Sequence, residues 1–304
     1  MNYLEGLVKK SIFEGLKGKV IFDEPLKEHT TFKIGGEAQF FIEPCNINDL
    51  RLLILLVKRY KMPIFLIGGG SNVLVGVRGL RGIVLHLGSL AFRNIYNNRR
   101  NCLKAGSGLT LTHLIRVARE CSLSGAEFLV GIPGTVGGAL AMNAGAWGRN
   151  IGDLVQEVRV MDYNGKQKKL TKKEIKFGYR KSSLAKYIIL NATFKMLKKN
   201  KEEIKKNIKR YLAYRRNTQD TSLPNAGCIF KNPPRQGAAG KLIDLCGLKG
   251  KSVGGACVSG LHANFILNRK QARSGDVLKL MELIKKRVKR KFNIDLEPEI
   301  KIWQ

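Results

Sequence analysis

Two glycine-rich segments contain the residues whose types and spacing are best suited to binding a ligand. The first segment, residues 68–75, reads Gly-Gly-Gly-Ser-Asn-Val-Leu-Val and directly follows a predicted strand. The second segment, residues 131–148, consists mostly of glycine and alanine. Glycine lets the backbone approach a flat ring or a phosphate without an intervening side chain, and consecutive N–H groups can surround an anion.

Both segments differ from the common nucleotide-binding patterns. Neither matches Gly-x-Gly-x-x-Gly at the start of a helix or the Gly-x-x-x-x-Gly-Lys phosphate loop. Each segment taken alone is therefore also compatible with tight turns and close packing of small residues. A core would nevertheless gain little from residues 131–148, because they bring few apolar side chains and cost backbone entropy.

The cysteines and histidines are too scattered to predict a metal site. None of the six cysteines belongs to a Cys-x-x-Cys pair, and the four histidines lack the spacing of zinc ligands. We expect no bound metal and, in a reducing compartment, no disulfides. Cys228 is the one cysteine for which we expect a functional role, described below.

The composition is that of a globular protein. The chain has 304 residues, 44% of them hydrophobic and 26% charged, which suits two or three compact units. No apolar run is long enough for a membrane span. The first twenty or so residues predict a short amphipathic helix and lack the pattern of a signal peptide. We expect a cytoplasmic monomer.

The formal net charge of +32 is the most unusual bulk property. Such a charge favours anionic substrates and predicts unspecific attraction to nucleic acid or anionic membranes. Lysine and arginine concentrate in two predicted helices, within residues 195–216 and 276–292, and in the second they lie opposite an apolar stripe. We interpret them as solvated helix faces and expect no specific nucleic acid. A basic nucleic-acid-binding protein stays open as an alternative, although no zinc finger, RNP motif or helix-turn-helix pattern supports it.

Strands and helices alternate around the glycine-rich segments, which favours an α/β or α+β fold. Asn164-Gly165 predicts a hairpin turn between two strands. Asn48 or Asp49 is the predicted cap of the first long helix. The predicted strands are 40–42, 64–67, 83–87, 101–105, 155–162, 167–170, 187–196, 256–258 and 265–267. The predicted helices are 49–60, 110–121, 201–216, 240–246 and 276–292.

A series of motifs in a fixed order resembles the family of UDP-N-acetylenolpyruvoylglucosamine reductases, enzymes of peptidoglycan synthesis. The resemblance covers nearly the whole chain, and the short stretch between Arg180 and Lys195 is similar to the compact form of the family. The motifs lie at residues 29–36, 68–75, 131–148, 178–182, 225–233, 239–250, 262–265 and 296–300.

This resemblance implies the fold, the domains and the ligands. We expect a two-part FAD-binding domain of the vanillyl-alcohol-oxidase (PCMH) type in residues 1–200, with lobes at 20–78 and 79–200 after an N-terminal helix. A smaller α+β substrate-binding domain is expected in residues 201–304, with a final extended segment that returns to the active site. The resemblance implies bound FAD, and NADPH and UDP-N-acetylglucosamine enolpyruvate as substrates that use the same cleft in turn; the product is UDP-N-acetylmuramate.

The resemblance also assigns residues to the cofactor and to the substrate. Tyr179, Asn232 and His262 correspond to substrate-contacting positions, although His262 is also compatible with a core histidine. The implied FAD-binding residues are Thr31, Gly35, Gly68, Gly69, Gly70, Ser71, Asn72, Leu74, Gly131, Ile132, Pro133, Gly134, Gly137, Gly138, Ala139, Asn143, Gly145 and Ala146.

Three residues are implied to be catalytic. Arg180 corresponds to an arginine that binds the substrate carboxylate, which its planar fork suits. Glu299 corresponds to an acidic residue that polarises this carboxylate and could act as a neutral acid if burial raises its pKa; Glu297 is the competing choice. Cys228 corresponds to the proton donor, where most members carry serine, and a thiol pKa of about 8.5 keeps proton donation feasible.

Two points depart from the family pattern or stay open. The counterpart of a family lysine that contacts NADPH or substrate cannot be placed in residues 215–220, and Asp220 replaces the usual proline. A flavin-dependent oxidase or dehydrogenase of the same fold is a further alternative, against which the set of Arg180, Cys228 and Glu299 argues.

Overall fold

The computed structural model describes residues 12–98 and 100–304. Most of the predicted N-terminal helix lies outside the described residues, and residues 12–15 form a turn. Among the described helices, none is long and apolar enough to cross a membrane.

The helices begin where the sequence supplies caps and apolar stripes. The cap of the first long helix is Asn46, whose side chain accepts a hydrogen bond from the Asp49 backbone N–H at 2.9 Å, so the prediction of Asn48 or Asp49 was wrong. Thr110 caps the next long helix in the same way. The α-helices are α1 Ile47–Arg59, α2 Leu90–Arg93, α3 Leu111–Glu120, α4 Val136–Ala141, α5 Ile151–Leu154, α6 Lys201–Thr218, α7 Ala239–Leu245 and α8 Ser274–Phe292.

The strands agree with the main apolar segments of the sequence. The predicted hairpin at Asn164-Gly165 is confirmed, because the flanking strands pair antiparallel with Met161 opposite Gln167. The strands are β1 Lys19–Pro25, β2 Glu37–Glu43, β3 Ile64–Ile67, β4 Val73–Val75, β5 Leu80–His86, β6 Ile95–Asn98, β7 Cys102–Gly106, β8 Leu123–Ser124, β9 Gly145–Ala146, β10 Arg149–Asn150, β11 Val155–Met161, β12 Gln167–Thr171, β13 Phe177–Gly178, β14 Lys181–Ser182, β15 Ile188–Lys195, β16 Leu197–Lys198, β17 Asn225–Cys228, β18 Ser252–Val253, β19 Ala256–Val258, β20 Phe265–Asn268 and β21 Lys301–Trp303.

The chain divides into two compact units that do not follow chain order. The first unit comprises the residues up to 23 together with 39–68 and 81–211, and the second comprises 24–38, 69–80 and 212–304. The boundary expected at residue 200, between an FAD-binding and a substrate-binding domain, stays a prediction.

The described part of the first unit contains two large sheets, each beside its own hydrophobic core, and three two-stranded sheets. One sheet has the order β1-β2-β5-β3, with β3 and β5 parallel, and α1 buries Leu50, Leu53 and Ile54 in its core. The other sheet is antiparallel with the order β12-β11-β15-β7-β6, and α3 and α4 contribute apolar side chains to its core. These sheets position the segment at 131–148.

The second unit is built around a four-stranded antiparallel sheet of order β17-β20-β19-β18. Helix α8 buries an apolar stripe in the core of this unit. Phe32, Ile34 and Leu74 belong to the same core, so early chain segments pack with the C-terminal residues. Strand β21 pairs in parallel with β4, placing Lys301 opposite Val73.

Candidate active site

In the first unit, the end of β3 meets the beginning of α4. A side-chain Cβ at Gly68 would lie 2.6 Å from the Thr135 hydroxyl oxygen and 3.9 Å from the Cα of Gly138. Thr135 caps α4, because its hydroxyl accepts the Gly138 backbone N–H at 3.3 Å. The two glycine-rich sequences therefore converge here, although they are far apart along the chain.

Glycine is suited to the positions of this region for two different reasons. Added Cβ atoms at Gly68, Gly137 and Gly145 would collide with protein atoms, for example at 3.0 Å from the Ser107 Cβ in the case of Gly137. By contrast, Gly138 is exposed, and the atom nearest to an added Cβ would be the Thr135 hydroxyl oxygen at 3.5 Å. Gly131 is exposed as well and has a φ of 73°. These exposed glycines leave a backbone surface that a flat cofactor can approach, and this surface fits a flavin nucleotide.

The remaining predicted cofactor residues of the first unit lie along the same segment. Ile132 and Ala146 are half-buried, Pro133 is exposed, and Gly134 has a φ of 132°. The side chain of Ala139 is 5% exposed and packs in the core, so this residue offers a ligand its backbone rather than its side chain.

Asn143 serves as a structural clamp within the segment. Its side chain is 4% exposed, donates to the Gly178 carbonyl at 3.0 Å and accepts the Gly152 N–H at 3.2 Å. These bonds hold the hairpin that carries Arg180 against the glycine-rich segment. The expected contact of Asn143 with FAD stays a prediction.

Arg180 occupies the turn of the hairpin β13–β14. Its φ is 54°, a left-handed conformation that is unusual for a residue with a side chain and often marks a functional position. Its guanidinium donates to the Gly145 carbonyl at 3.0 Å and lies 5.4 Å from the Tyr179 ring centroid. Tyr179 is 51% exposed, so the hairpin presents both predicted substrate-contacting side chains at its tip.

In the second unit, the other part of the first glycine-rich segment lies against residues 29–31. Gly70 has a φ of 61°, and a side chain there would collide with the His29 carbonyl oxygen. The Gly70 carbonyl accepts the Thr31 N–H at 3.1 Å, while the Thr31 hydroxyl donates to the Asn225 carbonyl at 2.7 Å. Gly69 is exposed. Thr31 and Gly70 thus stabilise the local backbone structure. Gly69 is the glycine of this part whose backbone is accessible to a ligand.

Three further predicted cofactor residues of the second unit differ in exposure. Ser71 and Asn72 are half-buried, and the Asn72 side chain donates to the Glu299 carbonyl at 3.3 Å. Leu74 is fully buried in the core, so only its backbone can face a ligand. Gly35 has a φ of 153° and a close approach to Val75.

The C-terminal segment brings Glu299 beside the strand that carries Cys228. The Glu299 N–H donates to the Ile229 carbonyl at 2.7 Å, and the Lys231 N–H donates to the Glu297 carbonyl at 2.9 Å. Cys228 and Glu299 are both half-buried. The side chain of Glu297 is 75% exposed and pairs with Lys231 at 3.1 Å. This difference supports Glu299 over Glu297 as the acidic group of a site.

Asn232 and His262 meet the first turn of α7. The Asn232 side-chain oxygen accepts the Ala239 N–H at 3.0 Å, and the His262 ring packs beside Gly240 and 4.7 Å from the ring of Phe265. Burial lowers the pKa of His262 below its usual value, and the charge of Lys249 acts in the same direction. The ring is therefore neutral at neutral pH, a state that both the substrate-binding and the core interpretation allow.

Three polar residues behind this site escaped prediction or were noticed only as a departure. Asp220 accepts a hydrogen bond from the fully buried Ser259 at 2.8 Å. The buried Asn264 side chain bonds to both backbone groups of Phe230. A signal was present in the sequence, because the family resemblance implies a proline at position 220, and a carboxylate in its place needs a hydrogen-bond partner.

Comparisons with known proteins show the family of the chain. Residues 218–303 match the family model described as UDP-N-acetylenolpyruvoylglucosamine reductase, C-terminal domain, and residues 38–171 match the FAD binding domain. The chain is 44% identical over 288 residues to the UDP-N-acetylenolpyruvoylglucosamine reductase of Caldanaerobacter subterraneus subsp. tengcongensis, covering 94% of each chain. The chain belongs to the UDP-N-acetylenolpyruvoylglucosamine reductase family.

Further relatives extend this result. The chain is 40% identical over 306 residues to the reductase of Clostridium botulinum strain 657, covering 99% of this chain and 98% of that one. The crystal structure of the reductase from Thermus caldophilus superimposes with a TM-score of 0.80 at 34% identity, covering 95% of this chain and all of the other. The expected fold class, a two-part FAD-binding domain with a smaller α+β domain, is confirmed, and so is the expectation of FAD.

Proposed function

We propose that this chain reduces UDP-N-acetylglucosamine enolpyruvate to UDP-N-acetylmuramate with NADPH, through bound FAD, in peptidoglycan synthesis. The observation that carries the proposal is the sequence identity between this chain and the reductases over nearly the full length of both. The exposed glycine backbone beside the cap of α4 supplies a surface of the kind that a flavin requires.

The cofactor residues are assigned on chemistry that the chain can provide. When bound, FAD supplies the hydride chemistry, taking a hydride from NADPH and giving it to the terminal carbon of the enolpyruvyl double bond. The exposed backbones of Gly69, Gly131 and Gly138 are the surfaces we assign to FAD. The other predicted cofactor residues hold these backbones in place or contact FAD through their own main chain.

The catalytic side chains must stabilise a developing negative charge and donate one proton. Hydride addition builds negative charge on the substrate carboxylate, which Arg180 binds with its guanidinium. Glu299, as a neutral carboxylic acid, donates a hydrogen bond to this substrate carboxylate. The Cys228 thiol then donates a proton to the second alkene carbon. The half-buried positions of Cys228 and Glu299 on paired backbone segments support their shared role.

Substrate binding is assigned to polar side chains. Tyr179 stands beside Arg180 at the hairpin tip, and Asn232 and His262 stand at the first turn of α7. Both substrates are polyanions, so the net charge of +32 raises their rate of encounter with the protein. The proposal includes the cytoplasmic location and the monomeric state, which cell fractionation and size-exclusion chromatography measure directly.

The direct test is turnover by the purified protein. We expect a yellow solution that absorbs at about 450 nm, that NADPH bleaches, and whose colour the enolpyruvyl sugar restores without oxygen. Product analysis should then find UDP-N-acetylmuramate in proportion to the NADPH consumed. A flavoprotein that NADPH bleaches but that only oxygen reoxidises would contradict the proposal and indicate an oxidase.

A further inference from the structure

Asp220 is the centre of a hydrogen-bonded cluster in the second unit, which we call the Asp220 cluster and which also contains Asn225, Ser259, His262 and Asn264. Its carboxylate accepts the Ser259 hydroxyl at 2.8 Å and the Ser222 N–H at 3.1 Å. Burial raises the pKa of Asp220, but the hydrogen bonds from Ser222 and Ser259 outweigh it and hold the pKa below its usual value. Asp220 is therefore a carboxylate at neutral pH.

The carboxylate fixes the direction of the Ser259 hydroxyl. Ser259 is fully buried, and its oxygen accepts the N–H groups of Leu261 at 3.0 Å and His262 at 3.2 Å. A serine hydroxyl has one hydrogen and two lone pairs. Because Asp220 takes the hydrogen, both lone pairs remain for the two backbone groups. The carboxylate thus orders the loop that carries His262.

The same loop fixes the His262 tautomer. The Nδ1 atom of His262 accepts the backbone N–H of Asn264 at 3.2 Å. A backbone N–H can only donate, so Nδ1 is unprotonated and the neutral ring carries its hydrogen on Nε2. Burial keeps the ring neutral by lowering the pKa of His262. His262 therefore offers an Nε2–H donor.

A second branch of the cluster leads to Cys228. The Asp220 carbonyl accepts the Asn225 side-chain amide at 3.1 Å, and the Asn225 side-chain oxygen accepts the Gly227 N–H at 2.9 Å. These bonds define the turn before Cys228, in which Gly227 has a φ of 73°. One residue thus touches the turn of the predicted proton donor through its backbone and the predicted substrate-binding loop through its side chain.

Asn264 closes the cluster from the other side. Its carbonyl accepts the Ile229 N–H at 2.9 Å, and its side chain accepts from the Phe230 N–H at 2.9 Å and donates to the Phe230 carbonyl at 2.8 Å. The residues directly after Cys228 are therefore tied to the residue whose N–H sets the His262 ring.

We propose that Asp220, acting through Ser259, is a positioning residue that presents the Nε2–H of His262 to an oxygen of the UDP-sugar and holds this loop in register with Cys228. The assignment rests on the proposed function, because it concerns the substrate half of that reaction. Asp220 touches neither substrate nor cofactor in this role.

The first test separates the two half-reactions by stopped-flow absorbance. Asp220→Ala should reduce flavin with NADPH at the wild-type rate but reoxidise with the sugar about ten- to a hundredfold more slowly, as expected for a small misplacement of reacting groups. Asp220→Asn keeps an oxygen acceptor for Ser259 and should lose less than about tenfold. Glu282→Gln, a matched carboxylate-to-amide change on the exposed face of α8, should behave as wild type.

A double variant tests whether Asp220 acts through Ser259. If it does, Asp220→Ala combined with Ser259→Ala should be no slower than Ser259→Ala alone, within about twofold. Losses that multiply would overturn the proposal. If Ser259→Ala does not fold, the ranking of wild type, Asp220→Asn and Asp220→Ala decides instead, and equal losses in both Asp220 variants would count against it.

A spectroscopic measurement is independent of turnover. With isotope-labelled histidine, the ring nitrogen shifts of wild-type His262 should show the Nε2–H tautomer at a pH well above the usual histidine pKa of about 6.5; His262→Gln assigns the signal. Asp220→Ala should convert this signal to a mixture of tautomers. A pure Nε2–H signal in Asp220→Ala would refute the positioning role even in an active reductase, whereas absence of sugar turnover with the expected signals would refute only the proposed function.

Discussion

Residues 131–148 of the first unit and the polar residues around Cys228 in the second unit are built by opposite means. In the first unit, residues 131–148 offer a ligand mainly backbone, because glycine and alanine leave the main chain exposed beside the cap of α4. In the second unit, side chains carry the chemistry, and a network of polar groups behind them fixes their geometry. Cofactor retention should therefore depend on the absence of side chains from residues 131–148, and the chemistry assigned to the second unit should depend on the side chains that are present there.

Replacing Cys228 should have the largest effect on the reaction with the substrate. Cys228→Ala removes the proposed proton donor, so reoxidation of the flavin by the enolpyruvyl sugar should slow about a hundred- to ten-thousandfold, while reduction by NADPH continues. Cys228→Ser, which keeps a side chain that can donate a proton, is the matched control and should keep both half-reactions. Stopped-flow absorbance measures both; equal loss in the two half-reactions of Cys228→Ala would remove it from the donor role.

The two C-terminal glutamates of the second unit should differ in their effect on turnover. Glu299→Gln should lower kcat about a hundredfold, because a group placed to stabilise charge in the transition state is altered. Glu297→Gln should change kcat less than about twofold, since an exposed ion pair such as that with Lys231 contributes little. Steady-state kinetics decides, and a reversed ranking would show that the register of the segment 296–300 is wrong.

Asn143 tests whether the first unit also depends on a side-chain clamp. Asn143→Ala removes two buried hydrogen bonds and should lower the free energy of unfolding of the apoprotein by about 2–4 kcal/mol. Urea denaturation can be followed by Trp147 fluorescence in a Trp303→Phe background, since the chain has two tryptophans. The exposed Asn97→Ala is the control and should shift the free energy by less than about 0.5 kcal/mol. Unchanged stability of Asn143→Ala would contradict the clamp.

Gly138 gives the smallest expected effect and the most specific one. Gly138→Ala meets little steric resistance from the protein and should stabilise α4 by up to about 1 kcal/mol, yet its methyl group should weaken FAD binding about tenfold. Apoprotein melting and FAD titration measure the two opposite changes. Gly275→Ala in α8, also without close neighbours, should stabilise the protein and leave FAD affinity unchanged. Tight FAD binding by Gly138→Ala would show that this glycine does not face the cofactor.

Sequence patterns predicted the elements that alternation and capping specify. The strand at 64–67 and the strand at 256–258 have the predicted bounds, and the long helices α1, α3 and α6 begin within two residues of the prediction. Helix α4 was missed, because two of its six residues are glycines that lower helix propensity. Its stability comes from the Thr135 cap and from burial of Val136 and Leu140, which only the tertiary structure supplies.

The site was predictable to the extent that motifs encode it. The motif register indicated Glu299 over Glu297, and the difference in their exposure supports that choice. The partners of Asp220 could not be predicted, because Ser259 lies far away in sequence and its hydroxyl direction is set by hydrogen bonds rather than by any local pattern. The division of the chain into units was equally hidden, since it depends on contacts between distant segments.

The parallel pairing of β21 with β4 has a consequence for biogenesis. Residues 24–38 and 69–80 leave the ribosome long before residues 301–303, yet all three segments belong to one core or its edge. Contacts between such distant segments form late and slowly. Apolar groups such as Phe32 and Leu74 therefore lack their core partners until residues 226–300 have been made, and uncovered apolar groups of this kind expose a nascent chain to aggregation.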